Sequence, residues 1–286
     1  MNTVFLNGKL IPADAAKVSV FDRGFLFGDS VYEVIPFYQG KGFRLREHIE
    51  RLKHSLRAVH IKSDCDWQGI LNELVKANGS GNLSVYLQVT RGSADERTQS
   101  YADSMQPTIF ACCREIKDIY HDGPDQVEGV TAIVTADLRW HRCDIKCTGL
   151  LPNIMVVQQA RHAGADEALM IRDGLLTEGA FCNVFVVDKG VIYTPKHSSE
   201  ILGGTTRELV LRLADDEGIP CQEVDIDYAH LMAADEVWIS SSTRAVVPVL
   251  QIDGKPVGDG NKGPLWAQMF ELFIQYEKRR MKGEAE

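Results

Sequence analysis

Two short turns restrict this chain more than any other local feature. Asn7-Gly8 separates the apolar stretches Val4–Leu6 and Leu10–Pro12, and Lys189-Gly190 separates Val184–Asp188 from Val191–Thr194. An Asn-Gly pair accepts the positive φ of a tight hairpin turn, so the first predicts an antiparallel strand pair; Lys-Gly predicts a second. Further strands are expected at Val31–Tyr38, turning back through Gln39–Gly42 into Phe43–Leu45, and at Leu83–Thr90, Thr108–Cys113, Val130–Ala136, Ala168–Ile171, Val237–Ser240 and Val246–Ile252. Elsewhere the apolar period changes. Ile49, Leu52, Leu56 and Val59 recur at three- and four-residue spacing and predict a helix over Arg46–Val59. Helices are also predicted at Trp67–Ala77, Pro152–Ala163 and Pro264–Met281, and after Ile201–Glu208, where Leu209, Val210, Leu213 and Ala214 form one apolar face. Phe21–Ser30, with glycines at 24 and 28, reads as an irregular turn. Helices alternating with strands, several of them hairpins, define a mixed α/β or α+β fold rather than a purely parallel doubly wound sheet.

At 286 residues the chain is long enough for two domains. The pattern breaks at Ile116–Glu128, where glycine, proline and acids interrupt it, so the expected division is a small domain over 1–117, a linker over 118–129 and a larger domain over 130–286. A net charge of −9 without a dominant basic stripe argues against nucleic-acid binding, and no apolar run approaches a membrane span. The polar N-terminus is no signal peptide, and seven cysteines without a CxxC pair read as reduced, packed thiols. The cytoplasm is the expected compartment, and no spacing predicts a metal site.

Chemistry concentrates in Arg139–Leu151 (RWHRCDIKCTGLL). Lys146 stands there near Arg139 and Arg142 and among Ile145, Leu150 and Leu151. Neighbouring cations and apolar surroundings both favour a neutral, nucleophilic amine. An ordinary surface lysine would fit the same residues. Two other stretches could take an anion. In Ile201–Glu208 (ILGGTTRE), glycines and hydroxyls at a helix start would turn several N–H groups toward one point, although plain N-capping by threonine fits equally. Ser240–Thr243 is a second hydroxyl cluster, at a strand's end. Glu178 lies among small residues. Together these would suit a phosphorylated aldehyde cofactor: a lysine for the aldehyde, an acid for a pyridine nitrogen, and a phosphate site.

The segments FDRGFLFGDSVYEV, HIERL, QVTRG, RWHRCDIK, TEGAFCNVF, GGTTRE and SSSTR, in this order over nearly the whole chain, resemble the fold-type IV pyridoxal-phosphate aminotransferases, and within them the D-amino-acid group. The resemblance implies a small N-terminal α/β domain, a larger C-terminal α/β pseudo-barrel domain, a homodimer, and pyridoxal 5′-phosphate as cofactor. By position Lys146 matches the Schiff-base lysine, Glu178 the acid at the pyridine nitrogen, and Arg51 the phosphate arginine. Thr205 and Thr206 match the helix-start phosphate site, Ser241 and Ser242 the second hydroxyl cluster, Leu202 the residue packing on the ring, and Tyr32 the tyrosine near lysine and substrate. In similar enzymes that tyrosine holds the substrate carboxylate with an arginine and a histidine from an RxH loop of the partner subunit.

Here the sequence departs from the family. Arg97 is followed two residues later by Gln99 instead of histidine. Phe181 and Cys182 replace small serines, and Phe181 would narrow or reshape the pocket. Arg244 is an extra cation that either helps bind an acidic substrate or pairs with a surface acid. The implied reaction is ping-pong transamination between D-amino acids and 2-oxo acids. The rivals inside the family are a branched-chain L-amino-acid aminotransferase, an (R)-amine transaminase and 4-amino-4-deoxychorismate lyase. From another class, Cys143 or Cys147 with His141 would make a thiol hydrolase dyad.

Overall fold

The computed structural model describes residues 2–116 and 123–282. The described residues form two compact units, Met1–Asp118 with Ile145–Leu150, and Ile119–Asp144 with Leu151–Glu286. The segment carrying Lys146 thus groups with the N-terminal unit, although by sequence it lies within 130–286. The linker expected at 118–129 falls partly on residues 117–122, outside the described residues.

In the first unit β1 (Thr3–Leu6) and β2 (Lys9–Pro12) form the Asn7-Gly8 hairpin, with φ of 48° and 87° at the two turn residues. α1 (Arg23–Phe27) follows, then β3 (Ser30–Tyr38), β4 (Lys41–Gly42), α2 (Leu45–Ala58), α3 (Trp67–Ala77), β5 (Leu83–Thr90) and β6 (Thr108–Glu115). The sheet order is β2-β1-β6-β5-β3-β4, antiparallel at every pairing. Two readings of the sequence need correction. Phe21–Ser30 is not irregular throughout: Asp22 caps α1 by accepting the Gly24 N–H at 2.8 Å, and Gly28 ends it in the left-handed region. The element is a single turn and a half, too short to show a helical period. Phe43–Leu45 is not a strand, because Arg44 takes the left-handed N-cap position and Leu45 opens α2.

Alternation along β3 decides which side chains meet the helices. Val31, Ile35 and Phe37 join Leu52, Leu56, Leu71 and Leu74 in a buried core, together with Ile145. Glu33 has the same parity and is driven into that interface with its charge. Tyr32 projects to the opposite face, where its ring lies 5.6 Å from that of Tyr86.

The second unit begins with β7 (Val130–Ala136), α4 (Leu151–His162) and β8 (Glu167–Arg172), a parallel pair joined through a helix. It continues with β9 (Leu175–Gly179), β10 (Asn183–Asp188), β11 (Val191–Pro195), α5 (Thr205–Asp216), β12 (Cys221–Val224), α6 (Tyr228–Met232), β13 (Glu236–Ser241), β14 (Ala245–Ile252), β15 (Lys255–Pro256) and α7 (Pro264–Lys282). The nine-stranded mixed sheet runs β12-β11-β10-β13-β14-β7-β8-β9, with β15 paired to β14. Its central strands bury Val184, Val186, Val237, Ile239, Val247 and Val249. β12, α6 and β15, unforeseen from sequence, are short and carry no clear apolar period.

Candidate active site

The N-terminal unit holds the lysine cluster. Lys146 is half-buried, and its segment is fastened to β3 and α2 by backbone contacts. The Tyr32 N–H donates to the Lys146 carbonyl at 2.9 Å, Cys147 bridges Val31, and the Lys146 N–H donates to Ser55 Oγ at 3.2 Å. Lys146 Nζ lies 4.3 Å from the centre of the Tyr32 ring, on its electron-rich face. Burial raises the Tyr32 phenol well above its usual range, so the hydroxyl stays protonated.

Behind Tyr32 the buried charge of Glu33 is matched by α2. His48 and Arg51, three residues apart, share one helix face. His48 Nδ1 is 2.8 Å from Glu33 Oε2, and Arg51 donates through Nε and Nη2 to the two carboxylate oxygens at 2.7 and 2.8 Å. Burial works against the Glu33 charge, but Arg51 and His48 overcome it and hold the carboxyl far below its normal range. His48 is pushed below the usual imidazole range by burial, with Glu33 opposing. Arg51 therefore has its guanidinium plane fixed by a bidentate partner.

The C-terminal unit holds the acid and hydroxyl clusters. Glu178, on β9, is 5% exposed, and both its oxygens are engaged. Arg139 Nη1 donates to Oε1, while Oε2 accepts the Leu202 N–H at 3.1 Å and Asn183 Nδ2 at 3.2 Å. Burial raises Glu178, with Arg139 and the Leu202 amide opposing. Arg139 is also held by Asp137, which in turn takes Arg172 and the Thr177 hydroxyl. Arg142 pairs with Asp144 at 2.9 Å. The two arginines that made the Lys146 stretch look electropositive are each neutralised by their own acid.

Thr205 and Thr206 are the first two residues of α5, and both are buried. Neither is the N-cap. That place belongs to Gly204, which has no side chain to cap the helix start. A Cβ on Gly204 would come within 1.9 Å of Asn183 Oδ1, so the approach of these two segments requires glycine. Thr205 Oγ1 lies 3.5 Å from Ser242 Oγ, which brings together the two hydroxyl clusters that sequence could only name separately. Ser241 ends β13 beside Ser242. A helix start presenting N–H groups beside converging hydroxyls fits a phosphate, and a buried, three-donor carboxylate fits a protonated ring nitrogen. These residues are compatible with pyridoxal 5′-phosphate.

The remaining sequence candidates are more dispersed. Arg97 and Gln99 are exposed on the 91–101 loop, with the Arg97 guanidinium 5.1 Å from the Phe27 ring. Phe181 is 47% exposed. Arg244 resolves in favour of an ion pair: its Nη2 donates to the buried Glu167 at 2.9 Å. The dyad on Cys143 has no support, since His141 pairs with Glu200 and burial lifts the Cys143 thiol to about 11. Among the described residues no group of three or more His, Cys, Asp or Glu is placed to hold a metal ion, and no helix is long and apolar enough to cross a membrane. Sequence reasoning missed Glu33, His48, Asn183 and the Arg139–Glu178 pair. Only Glu33 left a signal, an acid at an apolar position of an alternating strand.

Residues 30–252 match the model of the amino-transferase class IV family, and the chain belongs to that family. It is 43% identical over 265 residues to the D-alanine aminotransferase of Bacillus licheniformis, covering 92% of each chain. Among solved structures it is similar to the branched-chain aminotransferase of Thermoproteus uzoniensis with norvaline, at 30% identity and a TM-score of 0.86, covering 99% of this chain and 96% of that one. It is also similar to the T.th. branched-chain amino acid aminotransferase with pyridoxamine 5′-phosphate, at 27% identity and a TM-score of 0.86, covering 96% and 93%.

Proposed function

We propose that this chain transfers amino groups between D-amino acids and 2-oxo acids, with pyridoxal 5′-phosphate as cofactor. The observation that carries this reading is the lysine set on the face of a buried tyrosine, Lys146 Nζ against the Tyr32 ring, in a chain 43% identical to a D-alanine aminotransferase. When bound, the cofactor supplies an aldehyde carbon that carries the amino group and a ring that takes up electrons from the substrate's Cα. Lys146 would hold that aldehyde carbon through its amine and would move the proton at the substrate's Cα. Glu178 holds a proton at the ring nitrogen. Arg51, Thr205, Thr206, Ser241 and Ser242 bind phosphate, and Leu202 packs on the ring. Tyr32, Arg97, Gln99 and Phe181 orient and select the substrate.

We place the enzyme in the cytoplasm as a homodimer. Seven unpaired thiols support a reducing compartment. Leu151, Ile154 and Met155, on one face of α4, are each at least half exposed and support burial against a second copy. A branched-chain L-amino-acid aminotransferase is the second reading, favoured by the solved structures at 27–30% identity. The test is a donor panel of D-alanine, D-glutamate, L-leucine and an (R)-arylamine, each with 2-oxoglutarate and pyruvate. Turnover of the D-amino acids is expected; transfer from L-leucine without transfer from D-alanine overturns the D-specific reading.

A further inference from the structure

Arg23 is 5% exposed and has no part in the chemistry above, yet its guanidinium makes four hydrogen bonds, three of them to the 91–101 loop. Nη1 donates to the carbonyls of Thr98 at 2.6 Å and Ser100 at 3.1 Å, Nη2 to that of Gln99 at 2.9 Å, and Nε to Asp29 Oδ2 at 2.8 Å. Three consecutive carbonyls turned onto one cation require a curled backbone, because an extended chain points successive carbonyls to opposite sides. Arg91 completes the arrangement. It grips Asp29 through Nε and Nη2 at 2.8 and 2.9 Å and donates to the carbonyls of Val59 at 2.7 Å and His60 at 3.2 Å. The Tyr101 ring lies 3.7 Å from the Arg91 guanidinium carbon, and the Phe27 ring 4.9 Å from that of Arg23. Two guanidinium ions share one carboxylate, so the surplus positive charge is met by those carbonyl dipoles and ring faces.

The clamp takes hold of residues 98–100 through their backbone carbonyls and of Tyr101 through its ring. The side chains of Arg97 and Gln99, either side of the gripped Thr98 carbonyl, remain exposed. We propose that Arg23, with Asp29 and Arg91, is a positioning device that sets the loop geometry from which Arg97 and Gln99 meet the substrate carboxylate. The inference rests on the reading of this loop as substrate-selecting. It also accounts for how the position of the missing histidine can hold glutamine: the backbone at 99 is set from beneath, whatever side chain it carries.

The experiment compares Arg23→Met, Tyr101→Leu and Arg97→Ala as cofactor-loaded enzymes. Arg23→Met keeps Asp29 paired to Arg91. It is expected to raise KM for the amino donor roughly 10–100-fold, with kcat within about threefold and the cofactor's visible band unchanged, since a displaced orienting group costs about that much. Amide hydrogen exchange over 95–101 should quicken in Arg23→Met and not in Arg97→Ala, which should show the KM rise alone. Should Arg23→Met fail to fold, Tyr101→Leu, which alters a side chain 43% exposed, carries the test; it is expected to raise both KM and loop exchange, to a smaller degree. An unchanged KM in the folded clamp variants, with KM raised in Arg97→Ala, overturns the clamp and leaves the loop's role standing. An unchanged KM in Arg97→Ala overturns the reading of the loop and the clamp with it.

Discussion

Lys146 Nζ lies 4.3 Å from the centre of the Tyr32 ring, while the Tyr32 N–H donates to the Lys146 carbonyl at 2.9 Å. The tyrosine therefore fixes both the backbone and the head group of the lysine. Lys146→Ala is expected to lose the visible cofactor band, to resist trapping by borohydride and to lower turnover by at least about 10²–10⁴-fold. Tyr32→Phe keeps the ring face and should retain cofactor. Tyr32→Leu removes an interaction of about 0.5–2 kcal/mol and should retain it less well. Equilibrium dialysis of the three variants against pyridoxal phosphate checks the order.

Glu33 is wholly buried, and its two partners both come from α2. Glu33→Gln leaves Arg51 without its counter-charge, a loss of roughly 3–5 kcal/mol for a broken buried pair. In a chain of this size that corresponds to a drop on the order of 10 °C in Tm, readable by calorimetry.

Stability should fall with acid in two stages. Burial depresses His48, so the unfolded chain takes up a proton near pH ~6.5 that the native protein resists; the stability held by neutral His48 is complete above that pH and lost below it. Glu33, Asp29 and Asp137 are also depressed, their arginine and histidine partners outweighing burial, so their contributions are complete above pH ~4 and lost on further acidification. Tm measured from pH 8 to 2 should show both stages, and His48→Gln should remove the upper one. A Tm constant from pH 7 to 5 in the unaltered protein would contradict the assignment.

Gly204→Ala forces a methyl group to 1.9 Å from Asn183 Oδ1, the residue that also holds Glu178 and the Leu202 carbonyl. Overpacking of this kind costs about 1–3 kcal/mol. Because the displaced segment begins α5, pyridoxal phosphate should dissociate faster from this variant than from Gly203→Ala, whose added Cβ meets only the end of the His197 side chain, at 2.9 Å. Cofactor release followed by absorbance distinguishes the two.

Cys143 should be inert. Burial raises its thiol to about 11, leaving little thiolate at neutral pH. Iodoacetamide at pH 7 should leave both turnover and the cofactor band intact, whereas inactivation with the band preserved would restore the thiol reading.

α2, α3 and α5 were legible because burial of one face imposes a period that sequence displays directly. α2 and α3 needed little more than their apolar spacing. α1 was not legible, being too short for a period and defined instead by the capping contact of Asp22. Phe43–Leu45 misled for a related reason: Leu45 is apolar because it opens a helix on the core, and Arg44 adopts a left-handed conformation that no propensity foretells. At the site, the residue types were readable from motifs. Their partners were not: His48 and Arg51 look like ordinary helix positions until Glu33 is seen beneath them.

By itself, the sequence determined the local elements and the chemical groups on offer: a lysine, an acid, two hydroxyl clusters and several arginines. Tertiary structure alone decided which charges cancel and which remain to act. Arg139 and Arg142, neighbours of Lys146 in sequence, are taken up by Glu178, Asp137 and Asp144, while Lys146 itself groups with β3 and the face of Tyr32. The reason is physical. Burial obliges each charge to find a counter-charge, and the nearest one in space is set by strand register and helix packing, which join residues tens of positions apart and leave no trace in local periodicity.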